Sequence, residues 1–236
     1  MHGSPELDRD RRSHQADSVA AFLDQRRLEA AALLFEWAAI PSVSSDPACR
    51  ADVRRSASWL AGQLRELGFP TAEIWDTGGQ PAVFAGWAAA PGAPTALIYG
   101  HHDVRGRGAT GAKAQVLSHL WGIWAHLTVT CRPAPAVNLT LLVEGEAEVG
   151  SAHLGELLRE RGDRLRADLV IGRGRPATLL AEYAGPVVSA GTGWPEDDQP
   201  GSQPDSRKWA QLEALQRQAA TLALLWCWLP DAGLAP

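Results

Sequence analysis

The chain has 236 residues, of which 45% are hydrophobic, and a formal net charge of -5; that is enough apolar content for one well-buried domain with an appendage. Its Lys and Arg residues are scattered rather than striped, which argues against nucleic acid as a partner. Cys49, Cys131 and Cys227 make no CxxC pair, so neither a disulfide framework nor a zinc knuckle is indicated, and a cytoplasmic setting is expected.

In chain order, residues 1–16 carry charge of both signs and no apolar core, and read as a disordered tail rather than a signal or an anchor. One ordered domain is expected over 17–176. Asp17 can cap a helix whose broad apolar face runs from Ala20 through Phe22, Leu23, Leu28, Ala31 and Leu34 to Ala38. The segment IPSVSSDP ends it. A second helix is predicted from about Ala48 to Leu67, with Val53, Trp59, Leu60 and Leu64 inward and Gly68 at the stop. TAEIWD and PAVFAGW, joined through Thr77-Gly78-Gly79, suit a hairpin. The strand TALIYG, a helix around Lys113 to Leu127, the strand VNLTLLVE, the helix SAHLGELLRER and the strand ADLVIG then alternate, which predicts an α/β fold with a mixed or parallel sheet. Residues 177–204, rich in Gly, Pro, Ser and acidic side chains, read as a linker. Asp205 can cap a last helix, with residues 205–236 forming that helix and a tail. Its apolar half is too short to span a bilayer and suits docking on the core or on another subunit, with no membrane partner.

The stretch LIYGHHDVRGRGATGAKAQVLSHLW, Leu97 to Trp121, concentrates the polar signals. An apolar strand ending in His-His-Asp delivers those groups to its carboxyl end, where open α/β sheets place their chemistry. GRGATG satisfies GxGxxG, yet HHDVR intervenes after the strand and no Asp or Glu lies between Asp103 and Glu144 to take a ribose. A phosphate loop fails too, because Ala112 precedes Lys113 and Ala114 stands where a magnesium-binding hydroxyl belongs. A metal reading gains from EGEAEVGS, Glu144 to Ser151, which also follows an apolar strand.

Through IPSVSSDP, ADVRRSASWLAGQL, PGAPTALIYGHHDV, GRGATGAKAQVLSHLW, LLVEGEAEVGS and RADLVI, the chain resembles the dinuclear-zinc metallopeptidases and amidohydrolases, which include carnosinase-like dipeptidases, acetylornithine deacetylase and succinyl-diaminopimelate desuccinylase. The likeness is to the dipeptidase branch and runs from about Asp17 to Ile171. It implies an incomplete zinc-peptidase-like mixed sheet flanked by helices. It further implies that His101 is a zinc ligand, that Asp103 orients its imidazole, and that Glu148 is a second ligand. The resemblance also marks losses. Gly111 stands at the position of the metal-bridging aspartate, Ala147 at that of the general-base glutamate, and Gly174 at that of another carboxylate ligand, while no histidine follows His153 to supply the distal ligand.

Paired-metal hydrolysis needs a bridging carboxylate, an activated water and a base. His101 and Glu148 are fewer than the three protein ligands usual in a catalytic zinc site. His102, Glu144 and Glu146 are the nearest substitutes, but neighbouring strand residues face opposite ways, so His102 should turn from His101. The expectation is a truncated pseudoenzyme that holds zinc weakly or not at all. Two alternatives stand beside it: an active metallohydrolase of dipeptides or N-acyl amino acids with an improvised site, and an interaction module that binds itself or a full-length homologue through its apolar C-terminal helix.

Overall fold

The computed structural model describes residues 5–106, 109–172, 180, 187–189 and 204–228. Helix α1 (Pro5–Gln25) and helix α2 (Arg27–Ala38) are separated at Arg26, whose ψ of 17° departs from the helical value. The expected disordered tail is therefore corrected: the helix reaches back to Pro5, and proline suits the first helical position because it needs no donor there. The single helix expected from Asp17 to Ala38 is likewise two. Helix α3 (Arg50–Leu67) follows a short 3-10 turn at Pro47–Cys49 and stops at Gly68. Gly68 has φ of 108°, and the N–H groups of Gly68 and Phe69 bond back to the carbonyls of Arg65 and Leu64, the left-handed cap that glycine permits without strain.

The sheet is built from β1 (Thr71–Trp75), β2 (Ala82–Trp87), β3 (Thr95–His101), β4 (Asn138–Glu144), β5 (Leu169–Gly172) and β6 (Val187–Ser189), in the order β1-β2-β4-β3-β5-β6. β1, β2 and β4 are antiparallel neighbours, whereas β4, β3, β5 and β6 run parallel. The hairpin turn expected at Thr77 is held by Thr77 Oγ1, which donates to the Gln80 carbonyl at 2.7 Å. β6 lies inside the segment read as a linker and adds a strand to the sheet edge; the rest of 177–203, apart from residue 180, lies outside the described residues, as does Gly174.

Strand alternation divides the core in two. Ala96, Ile98, Leu139, Leu141, Val83, Ala85 and Ile171 face a large apolar layer made with α1, α2, α3, α4 (Gly111–Thr130) and α6 (Pro204–Trp228). Leu97, Tyr99, Leu142, Phe84 and Val170 face the opposite side, where Leu154, Leu157 and Leu158 of α5 (Leu154–Arg161) cover them. Period-two strands buried on both faces read as nearly continuous apolar runs, which is the pattern of TALIYG and LTLLVE. The C-terminal helix α6 begins within one residue of its expected cap and lies against α4 of the same chain. At Gly122 the two backbones approach so closely that a Cβ would come within 2.9 Å of Leu222 Cβ and 3.0 Å of the Ala219 carbonyl oxygen. Among the described residues, no helix is long and apolar enough to cross a membrane.

Candidate functional site

Because β3 and β4 are parallel and in register, His101 sits directly beside Glu144 at the carboxyl edge of the sheet. The chain leaving β3 is stitched to the loop after α2: Val43 and Val104 form a parallel bridge, the Val104 N–H donates to the Ser42 carbonyl at 3.0 Å, and Ser42 Oγ donates to the His102 carbonyl at 2.7 Å. That stitching brings Ser44 to Asp103. Asp103 is fully buried and accepts from His101 Nδ1 at 3.0 Å, from Ser44 Oγ at 2.6 Å and from the backbone N–H of Glu148 at 2.9 Å. The His101 ring and the Glu148 backbone thus converge on the Asp103 carboxylate.

The electrostatics follow from this geometry. Burial works to raise the Asp103 pKa, but the hydrogen bond and charge of His101, with the donors Ser44 and Glu148, outweigh it, and the net direction is down. Burial works to lower that of His101, and Asp103 with the nearby Glu148 and Glu144 reverses it, so the net direction is up. The hydrogen bond at Nδ1 leaves Nε2 as the nitrogen that can meet a metal, the arrangement by which a second carboxylate orients a ligand imidazole.

Glu148 lies in a 3-10 turn, Ala147–Val149, and its side chain is turned to Arg105: Arg105 Nε donates to Glu148 Oε2 at 2.7 Å. Ala147 occupies the same turn without a functional group, and Gly111 opens α4 with no side chain at all. His102 is turned away from His101 as the strand period predicts. It is completely buried, lies 3.0 Å through Nε2 from the Pro81 carbonyl, and burial pushes its pKa down to about 4. Glu144 is committed inward, accepting from the Tyr99 hydroxyl and from Ser151 Oγ at 2.9 Å, and burial raises its pKa. Glu146 pairs with His153 Nδ1 at 3.0 Å and accepts from the Gln80 N–H at 2.8 Å. The three candidate substitutes for the lost ligands are therefore occupied elsewhere.

Sequence reasoning does not single out Arg105, Ser44 or the Glu146–His153 pair. Arg105 carries the clearest signal, since it stands two residues after Asp103. Lys113, read as a failed phosphate-loop lysine, closes the end of α2. Buried, it donates through Nζ to the carbonyls of Trp37 at 2.9 Å and Ile40 at 2.7 Å, and burial lowers its pKa to about 7. Among the described residues, no group of three or more His, Cys, Asp and Glu side chains is placed to hold a metal ion. The described residues do not fit a zinc pair: no carboxylate bridges two sites at this edge, since the first residue of α4 is a glycine and Glu148 already has a cationic partner.

The fold and the polar groups at its strand edge can be compared with those of known proteins. No family model matches the chain. It is 31% identical over 157 residues to the Cys-Gly metallodipeptidase of Candida albicans, a match covering 51% of this chain and 32% of that protein. The solved structure of the dipeptidase Dug1p from Saccharomyces cerevisiae superposes with a TM-score of 0.59 at 25% identity, over 67% of this chain and 41% of that one. Human carnosine dipeptidase 1 superposes with a TM-score of 0.59 at 27% identity, over 66% of this chain and 40% of that one. The chain is a homologue of these metallodipeptidases and spans well under half the length of each.

Proposed function

We propose that the chain is a degenerate relative of a zinc-dependent dipeptidase that keeps the first α/β part of the fold and not the hydrolysis. The observation that supports this reading is the Glu148 carboxylate bonded to Arg105; with it go Gly111 and Ala147, which by the resemblance take the positions of the bridge and the base. Zinc binding through His101 and Glu148 alone falls short of the three protein ligands of a catalytic site. It should be weak and below two ions per chain. A cytoplasmic setting belongs to the same proposal.

The test is metal content after zinc loading and dialysis, with hydrolysis of Cys-Gly and β-Ala-His, the dipeptides in the relatives' names, assayed on the same sample. The expected result is fewer than two ions per chain and no turnover. His101→Ala should remove the residual binding and His102→Gln should leave it. Two tightly held ions with metal-dependent turnover would establish the active alternative instead. Association with itself or with a full-length homologue through the C-terminal helix is a second proposal; mass in solution at several concentrations tests it.

A further inference from the structure

On the helical side of the molecule, α2, α3 and α4 leave a groove of about 390 Å³ between them. Its walls are apolar, formed chiefly by Leu33, Leu67, Trp121 and Trp124, and its polar groups include the carboxylates of Glu29 and Glu66. Among the described residues, no Lys, Arg or His lines it. The volume lies near the lower end of what small-molecule sites occupy, and apolar walls with a few placed polar groups are the composition of such sites.

One end of the groove already displays the chemistry it favours. The Arg26 guanidinium lies 4.7 Å from the centre of the Trp124 ring and donates to Glu29 Oε2 at 3.0 Å, so a cation is held between an indole face and a carboxylate. Glu66 is exposed and accepts from Gln63 Nε2 at 3.0 Å, and a carboxylate has acceptor capacity for further donors.

We infer that this groove is a binding site for a small apolar ammonium ion, an arylalkylamine, with its ring against Leu33 and Leu67 and its charged nitrogen at Glu66. Charge selects the class: Glu29 is paired with Arg26, so an anion meets the Glu66 carboxylate, and a neutral analogue of equal size gains only the apolar contact. The site is on the helical layer and owes nothing to the zinc reading.

The test titrates the whole chain, treated with chelator, with 4-phenylbutylamine, 4-phenylbutanol and 4-phenylbutyrate, followed by calorimetry. An exposed ion pair contributes up to about 1 kcal/mol, so the amine should bind about three- to fivefold tighter than the alcohol, and the carboxylate weakest. Glu66→Gln, at an exposed position, should erase the preference for the amine and leave the alcohol unchanged. Leu33→Lys should place a competing cation in the groove and abolish amine binding. Equal binding of all three probes, no saturable binding of the amine, or an amine preference that survives Glu66→Gln or Leu33→Lys would each overturn the inference.

Discussion

Arg105 donates through Nε to Glu148 Oε2 at 2.7 Å, so a guanidinium holds the carboxylate proposed above as a zinc ligand. The Arg105 side chain is 73% exposed and that of Glu148 21%, which makes the pair a modest competitor rather than a lock. Exposed ion pairs contribute about 0.2–1 kcal/mol. Arg105→Met should therefore tighten zinc binding by about two- to fivefold, read by competition with a chromophoric chelator. Unchanged affinity would show that the guanidinium does not contend with the metal for Glu148.

The face that α4 turns inward carries His119 and His126, both buried, three residues before and four after Gly122. Neither ring nitrogen of His119 has a hydrogen-bond partner, and burial pushes its pKa down to about 3; burial lowers that of His126 to about 4, with Arg132 adding to it. The folded pKa values lie below the unfolded value of 6.5. The stability is thus fully present above the unfolded pKa, and falls with pH below it, because the unfolded chain takes up protons that the fold refuses. Between about pH 7.5 and about pH 5 the loss through His119 should be roughly 1–2 kcal/mol. Urea denaturation at the two pH values measures it, and His119→Leu should flatten the dependence. An equal pH slope in that variant would remove His119 as the cause.

Gly122 tests whether α6 is seated on α4. In an exposed helix, Gly→Ala gains about 1 kcal/mol. Here the added methyl meets Leu222 Cβ at 2.9 Å and the Ala219 carbonyl oxygen at 3.0 Å, and neither can swing aside as the end of a flexible side chain would. Overpacking of this kind costs about 1–3 kcal/mol, so Gly122→Ala should lower the denaturation midpoint. A stabilised variant would mean that the two helices do not pack this closely in solution.

The strands and inner helices are legible because their apolar periods are strong: TALIYG and VNLTLLVE, Val53 to Leu64, and Gly68 as the stop each appear where the residues place them. α1 is hidden because PELDRDRRSHQ is polar all round, and a helix without an apolar stripe leaves no periodic signal. β6 is hidden by its three-residue length within a Gly- and Pro-rich segment. At the sheet edge, the turn of His102 away from His101 follows from the strand period, and the pairing of His101 with Asp103 from the family resemblance. The Arg105–Glu148 pair does not, since it joins residues 43 positions apart through a contact that only the folded sheet creates.

The last prediction concerns repair of the positions proposed as lost. Gly111→Asp would place a carboxylate at the first residue of α4, where the helix N-terminus favours negative charge. Ala147→Glu would sit in the turn beside Glu148, at a position that is only partly buried. Gly174→Asp would supply the third group at a position outside the described residues. Zinc responds mainly to the number of local ligands, so affinity in the triple variant should rise well above that of the unmodified chain. Turnover of Cys-Gly and β-Ala-His should nonetheless stay negligible. Hydrolysis also requires a positioned substrate and donors aimed at the tetrahedral oxyanion, contributions worth several powers of ten in rate. The measurement is zinc affinity and dipeptide hydrolysis of the triple variant beside the unmodified chain. Robust metal-dependent hydrolysis by the variant would mean that this part of the fold already encloses a working substrate site.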